Sequence, residues 1–63
     1  MQLKDMVQAL LESGFSQASI AQACDTTQPT IWRAAQGADI RYSTGREIER
    51  LYRRVIRRQQ RAA

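Results

Sequence analysis

Apolar residues recur along the chain at spacings of three and four, and the pattern breaks at Gly14, at Asp25-Thr26 and at Gly37. Leu3, Met6, Val7, Leu10 and Leu11 form one stripe, with Lys4, Asp5, Gln8 and Glu12 opposite, which predicts a helix over about Gln2 to Ser13 that stops at Ser13-Gly14. Ser16 has the chemistry of an N-cap, and Phe15 before it is placed to pack on Ile20 as a hydrophobic staple. A second, short helix over about Gln17 to Cys24 follows, turning Ile20, Ala21 and Cys24 inward. Asp25 is among the few non-glycine types that tolerate a left-handed backbone, so Asp25-Thr26 is expected to turn the chain. Thr27 then caps a third helix over about 28–36, with Pro29 in its first turn and Gly37 as its stop. Residues 38–43 are expected to form a loop, and Thr44 with Glu47 matches a capping box that opens the fourth helix. Ile48, Leu51, Tyr52, Val55 and Ile56 make the apolar stripe of that helix, with arginines on its other face. No useful length alternates with strand period. The expectation is an all-α fold, a compact bundle of four helices or five, forming a single domain over 1–58 with a frayed basic tail over 59–63.

At 63 residues, such a domain buries only about 60% of the surface its unfolded chain exposes, so a large enclosed active site is not expected. One cysteine and no histidine exclude an intramolecular disulfide and leave too few soft ligands for a structural zinc site. Cys24 is expected to be a reduced, buried, small apolar residue. No metal and no cofactor is expected, and catalysis is disfavoured: histidine, usefully spaced carboxylate pairs and a phosphate-binding glycine loop are all missing from the sequence. The long uncharged run of a membrane span and the apolar stretch of a secretion signal are missing too, so a soluble, intracellular protein is expected.

Charge adds a polarity. Ten Lys and Arg against six Asp and Glu leave +4, and residues 46–61 carry seven arginines against Glu47 and Glu49. Nine of the ten cations are arginine, whose planar fork suits phosphates and base edges. A basic pole of this kind selects nucleic acid or an anionic membrane.

The tryptophan sharpens the choice. On a wheel of about 100° per residue, Gln28, Pro29, Trp32, Arg33 and Gln36 share one side of the third helix, while Thr30, Ile31 and Ala34 share the other. The largest apolar side chain thus stands among polar ones. Two short helices joined by a tight turn, the second opening with a residue that can face a base edge, make a helix-turn-helix unit. The segment QASIAQACDTTQPTIWRAAQG, Gln17 to Gly37, has this pattern, with a small residue at Ala21 where the helices cross and apolar Ile20, Ile31 and Ala34 to hold the crossing.

In these residues the chain resembles the lambda-repressor-like family of phage Cro and CI proteins, with Gln17, Ala21, Thr27, Gln28 and Ile31 at the family's spacing over roughly residues 3–56. It departs from the family at Asp25, where glycine is usual, at Thr26, where a branched apolar residue is usual, and at the small Ala34. A strained or less well packed turn is expected at the first two, and a neighbour filling space at the third. CI proteins carry a large second domain, so the length resembles Cro.

The resemblance implies a repressor that binds double-stranded DNA in the cytoplasm of a bacterial host cell, associated with the nucleoid through that DNA. Gln28 would be the main base reader, able to bond adenine N6 and N7; Arg33 could take guanine O6 and N7, and Pro29 a thymine methyl. Trp32 is expected at the DNA through sugar, phosphate or thymine methyl contact, or else folded over the loop at Ile40 and Tyr42 to cover Ala34 and Ala35, or in a subunit contact. Gln17, Thr27, Gln36, Arg41 and Arg46 are candidates for backbone phosphates. A weak homodimer, assembled or strengthened on DNA, is implied by the family's paired half-sites, with Ile40 and Tyr42 as interface candidates. Other classes remain: an antitoxin-like module that binds a protein partner and uses DNA only for autoregulation, or a basic amphipathic helix on an anionic membrane.

Overall fold

The computed structural model describes residues 2–62, with side chains through Gln60. Four α-helices follow one another: α1 (Leu3–Glu12), α2 (Gln17–Ala23), α3 (Gln28–Ala35) and α4 (Tyr42–Ala62). There is no strand among the described residues, and the all-α four-helix expectation holds.

The first three helices end by the same local device. Beyond α1, Gly14 takes φ 107°, the Phe15 N–H donates to the Leu10 carbonyl at 3.1 Å, and the Gly14 N–H donates to Leu11 at 3.2 Å. Beyond α2, Asp25 takes φ 54°, with Thr26 N–H to Ala21 at 2.9 Å and Asp25 N–H to Gln22 at 3.4 Å. Beyond α3, Gly37 takes φ 85°, with Ala38 N–H to Arg33 at 3.0 Å and Gly37 N–H to Ala34 at 3.1 Å. Each is a Schellman stop, in which a left-handed residue lets its own N–H and that of the residue after it satisfy carbonyls that the helix leaves open. Asp25 therefore performs the task that Gly14 and Gly37 perform at the other two stops. Ser16 caps α2 as expected: its Oγ accepts from the Ser19 N–H at 3.0 Å, and Ser19 Oγ accepts from the Ser16 N–H at 2.8 Å.

The core unites all four helices: Met6, Val7 and Leu10 from α1, Ile20 and Ala21 from α2 with Cys24 just beyond it, Ile31 and Ala34 from α3, and Ile48 and Leu51 from α4. Phe15, Tyr52 and Val55 pack against it half-buried. α1 is the hub, in contact with both α3 and α4, while α2 packs on α3. Leu3 lies against Gly45 and Ser13 against Gln59, so α1 and α4 run in the same direction.

Two expectations about α4 are corrected. The helix begins at Tyr42, so Thr44 lies within its first turn and the Thr44–Glu47 capping box is not formed; the Gly45 N–H already donates to the Arg41 carbonyl at 3.0 Å. Packing explains the earlier start. Gly45 is buried against α1, and a Cβ there would stand 3.0 Å from a Leu3 methyl, so the first turn of α4 is held by a contact that local capping signals do not encode. At the other end, the expected frayed tail over 59–63 is helical as far as Ala62, and Gln59 Nε2 donates to Ser13 Oγ at 2.9 Å. Ala63, which belongs to the expected tail, lies outside the described residues.

Candidate nucleic-acid interface

α3 is seated by Ile31, 0% exposed, and Ala34, 1% exposed, which face the core. Its opposite side carries Gln28, Pro29, Trp32, Arg33 and Gln36, all exposed. Thr27 occupies the N-cap position, yet its hydroxyl lies 3.0 Å from the Thr30 hydroxyl and takes no backbone N–H. The reason is local. Pro29, second in the helix, has no N–H to offer, and the Thr30 N–H already donates to the Thr27 carbonyl at 3.1 Å.

Trp32 is 53% exposed, and Tyr42 is 79% exposed. Such exposure does not fit an indole folded over the 38–43 loop. Ala34 is instead closed off by the start of α1: Leu3 and the Lys4 stem border the same hollow as Ala34, Gly37 and Ile40. The small side chain at Ala34 thus admits a neighbouring helix.

Beside α3 lies an open cleft of about 400 Å³ that brings Arg33 together with Arg41 from the α3–α4 loop, the hydroxyls of Thr27, Thr30 and Thr44, and the carboxylates of Asp25 and Asp39. Arg33 accordingly sits on the loop-facing flank of α3, while Gln28 and Trp32 lie further round the helix. The cleft can offer an anion two guanidinium forks and several hydroxyl donors, at the cost of two nearby carboxylates. Asp39, Thr30 and Thr44 escaped the sequence reading. Asp39 had no periodic signal, Thr30 shared the inner side of the third helix with Ile31 and Ala34, and Thr44 resembled a cap.

The remaining site residues fall around this centre. Gln17 opens α2 and is half-buried, and Gln36 is the C-cap of α3. Arg46 is exposed, its guanidinium carbon 6.0 Å from the centre of the Tyr42 ring, where a cation is attracted by the ring face. Together with Leu3, Ile40 and Gly45 these two border a shallow groove of about 630 Å³ at the start of α4. Ile40 and Tyr42, the two interface candidates, therefore share one surface, although Ile40 is partly committed to the core. Gly45 was also missed, and its signal was available: a lone glycine three residues before Ile48, on the apolar face of the helix.

Along α4, Glu47 pairs with Arg50 and Glu49 with Arg53, each at 3.4 Å and largely in solvent. Exposed pairs of this kind stabilise little and leave the arginines available. Cys24 is buried, and its thiol is pushed above the ordinary value chiefly by desolvation; Glu47 adds to the rise and Arg54 opposes it. No group of metal-binding side chains occurs among the described residues, and no described helix is long and apolar enough to cross a membrane. No family model, curated protein or solved structure matches the chain.

Proposed function

We infer that this protein is a sequence-specific DNA-binding repressor of the Cro type, which sets α3 in the major groove of a short operator. The observation that carries this reading is the division of α3 into two faces. One is locked by fully buried Ile31 and Ala34, and the other presents Gln28, Pro29, Trp32 and Arg33 to solvent. A base reader needs both properties, since a hydrogen bond to a base edge discriminates only when the donor's position is fixed beforehand. The half-exposed indole, on a helix with so little apolar surface to spare, is accounted for if the groove covers it.

In this reading Gln28 bonds adenine, Pro29 touches a thymine methyl and Trp32 packs on sugar or methyl groups. Arg33 is within reach of a guanine but equally of the cleft that it shares with Arg41. Gln17, Thr27, Gln36, Arg41 and Arg46 hold the phosphates on either side. Occupying the operator excludes other proteins, which is the whole of the repression.

Two substitutions separate reading from gripping. Gln28→Ala removes hydrogen bonds but no charge, so cognate binding should weaken by about 1–3 kcal/mol, random DNA should be bound as before, and the salt dependence should not change. Arg46→Ala should weaken cognate and random duplexes alike and lower the slope of log K against log salt by about 1. Titrating both variants against both duplexes over a salt series checks this. Equal weakening of random and cognate DNA by Gln28→Ala would overturn the reading.

A further inference from the structure

Placed at about 100° per residue, the charged residues of α4 fall on two flanks and on an outer face between them that holds Arg50 and Arg57. Arg46, Glu49 and Arg53 share the flank bordering Leu3 and Tyr42, and there Glu49 takes Arg53. Glu47, Arg54 and Arg58 share the other. That flank looks toward α2: Glu47 borders a hollow with Cys24 and Asp25 at the C-terminal end of α2, and the Cys24 thiol senses the charge of Arg54. Gln59, the neighbour of Arg58, is bonded to Ser13, at the corner that leads into the Ser16 cap of α2. α4 therefore runs past α2 from its C-terminal end to the corner before its N-terminus. Arg54 and Arg58, about 6 Å apart along the helix axis, lie on the side facing it. Neither forms an ion pair among the described residues.

We propose that Arg54 and Arg58 are a second phosphate grip, holding the duplex backbone alongside α2 while α3 lies in the groove. This rests on the DNA-binding reading, because in a helix-turn-helix the first helix is the one that crosses the backbone, and Arg54 and Arg58 lie beside that helix. The chemistry of the flank fits a phosphate strand better than the other polyanions. A membrane would need the apolar face of α4, and that face is spent in the core through Ile48 and Leu51. An acidic protein would need an apolar anchor among the charges, as protein interfaces have. On α4 beyond Leu51 the only apolar side chains described are Tyr52, Val55 and Ile56, all half-buried.

The test compares two charge-matched double variants: Arg54→Gln with Arg58→Gln, and Arg50→Gln with Arg53→Gln. Each is titrated against cognate and random duplexes over a salt series, with circular dichroism melts to establish folding. The first pair should weaken both duplexes by the same factor and lower the salt slope by about 2. The second should lower it by less than half as much. Equal losses from both pairs would reduce the arginines to a general attraction and overturn the grip, as would an unchanged slope in the first pair. Wild-type preference for cognate over random DNA, and its loss in Gln28→Ala, tests the underlying reading separately. If that preference holds while the first pair leaves the slope unchanged, the grip alone is overturned; wild-type protein that binds no duplex overturns both.

Discussion

Asp25 and Cys24 are adjacent, and each turns on a different single-residue property. Asp25 sits at φ 54°, a conformation that costs a residue with a Cβ roughly 1–2 kcal/mol and which Asp tolerates better than most. The residue type betrayed this turn because the constraint is local. Cys24 has a consequence in alkali. Its thiol is buried and its pKa is raised above 9.0, mainly by desolvation. As pH climbs past the ordinary value, the unfolded chain releases the thiol proton first and so binds fewer protons than the folded one. Stability is therefore intact below that pH and is lost as pH rises toward the folded pKa. Urea melts between about pH 7 and pH 10 should show wild-type protein losing stability faster with pH than Cys24→Ala. Parallel pH profiles would mean that the thiol does not ionise differently in the two states. Trp32 was only half legible at this scale: the periodic pattern put it on the outer face, but whether it lay in solvent or beneath the loop depended on where residues 38–43 run.

Among the elements, the α2–turn–α3 unit was read almost to the residue. Its limits depend on Ser16, Asp25, Pro29 and Gly37, which act within five residues of themselves. The crossing of the two helices depends on Ala21, 4% exposed where α2 packs on α3. Ala21→Glu would force a carboxylate into that crossing with no buried polar partner among the described residues, and should unfold the domain, at a cost of several kcal/mol. Circular dichroism and a thermal melt check this, and a normal cooperative transition would contradict the packing described. α4 was read less well. Thr44 and Glu47 have the spacing of a cap, but Gly45 on the apolar face lets α1 come close enough to start the helix three residues earlier. The end of α4 was misjudged for a related reason: an exposed, charged tail reads as fraying unless the Gln59–Ser13 bond is known.

The whole molecule measures 33 × 21 × 17 Å, and α4 alone, at about 1.5 Å per residue, accounts for its long axis. A body this small cannot bury everything, and besides Trp32 the surface holding Tyr42 and Ile40 leaves apolar area in solvent. In the repressor reading that surface meets a second copy on adjacent half-sites. The free protein should associate weakly at most, yet bind a two-site duplex cooperatively with two molecules per duplex. Sedimentation with one-site and two-site duplexes measures both. Equal affinity per half-site with one molecule per duplex would rule out the pairing.

Amino-acid order alone determined the all-α class, the stops of the first three helices, the inward and outward faces of α3 and the basic end of the chain. These depend on periodicity, φ preference and capping, which act over a few residues and are written in their types. Only the tertiary structure decided where α4 begins, why position 45 is glycine, that Arg33 and Arg41 share a cleft with two carboxylates, and which arginines of α4 look toward α2. Each of those depends on a contact between distant segments: Leu3 with Gly45, Ser13 with Gln59, α3 with the loop after it. Close packing selects such contacts by shape and volume summed over the whole core, and no short stretch of sequence carries that sum.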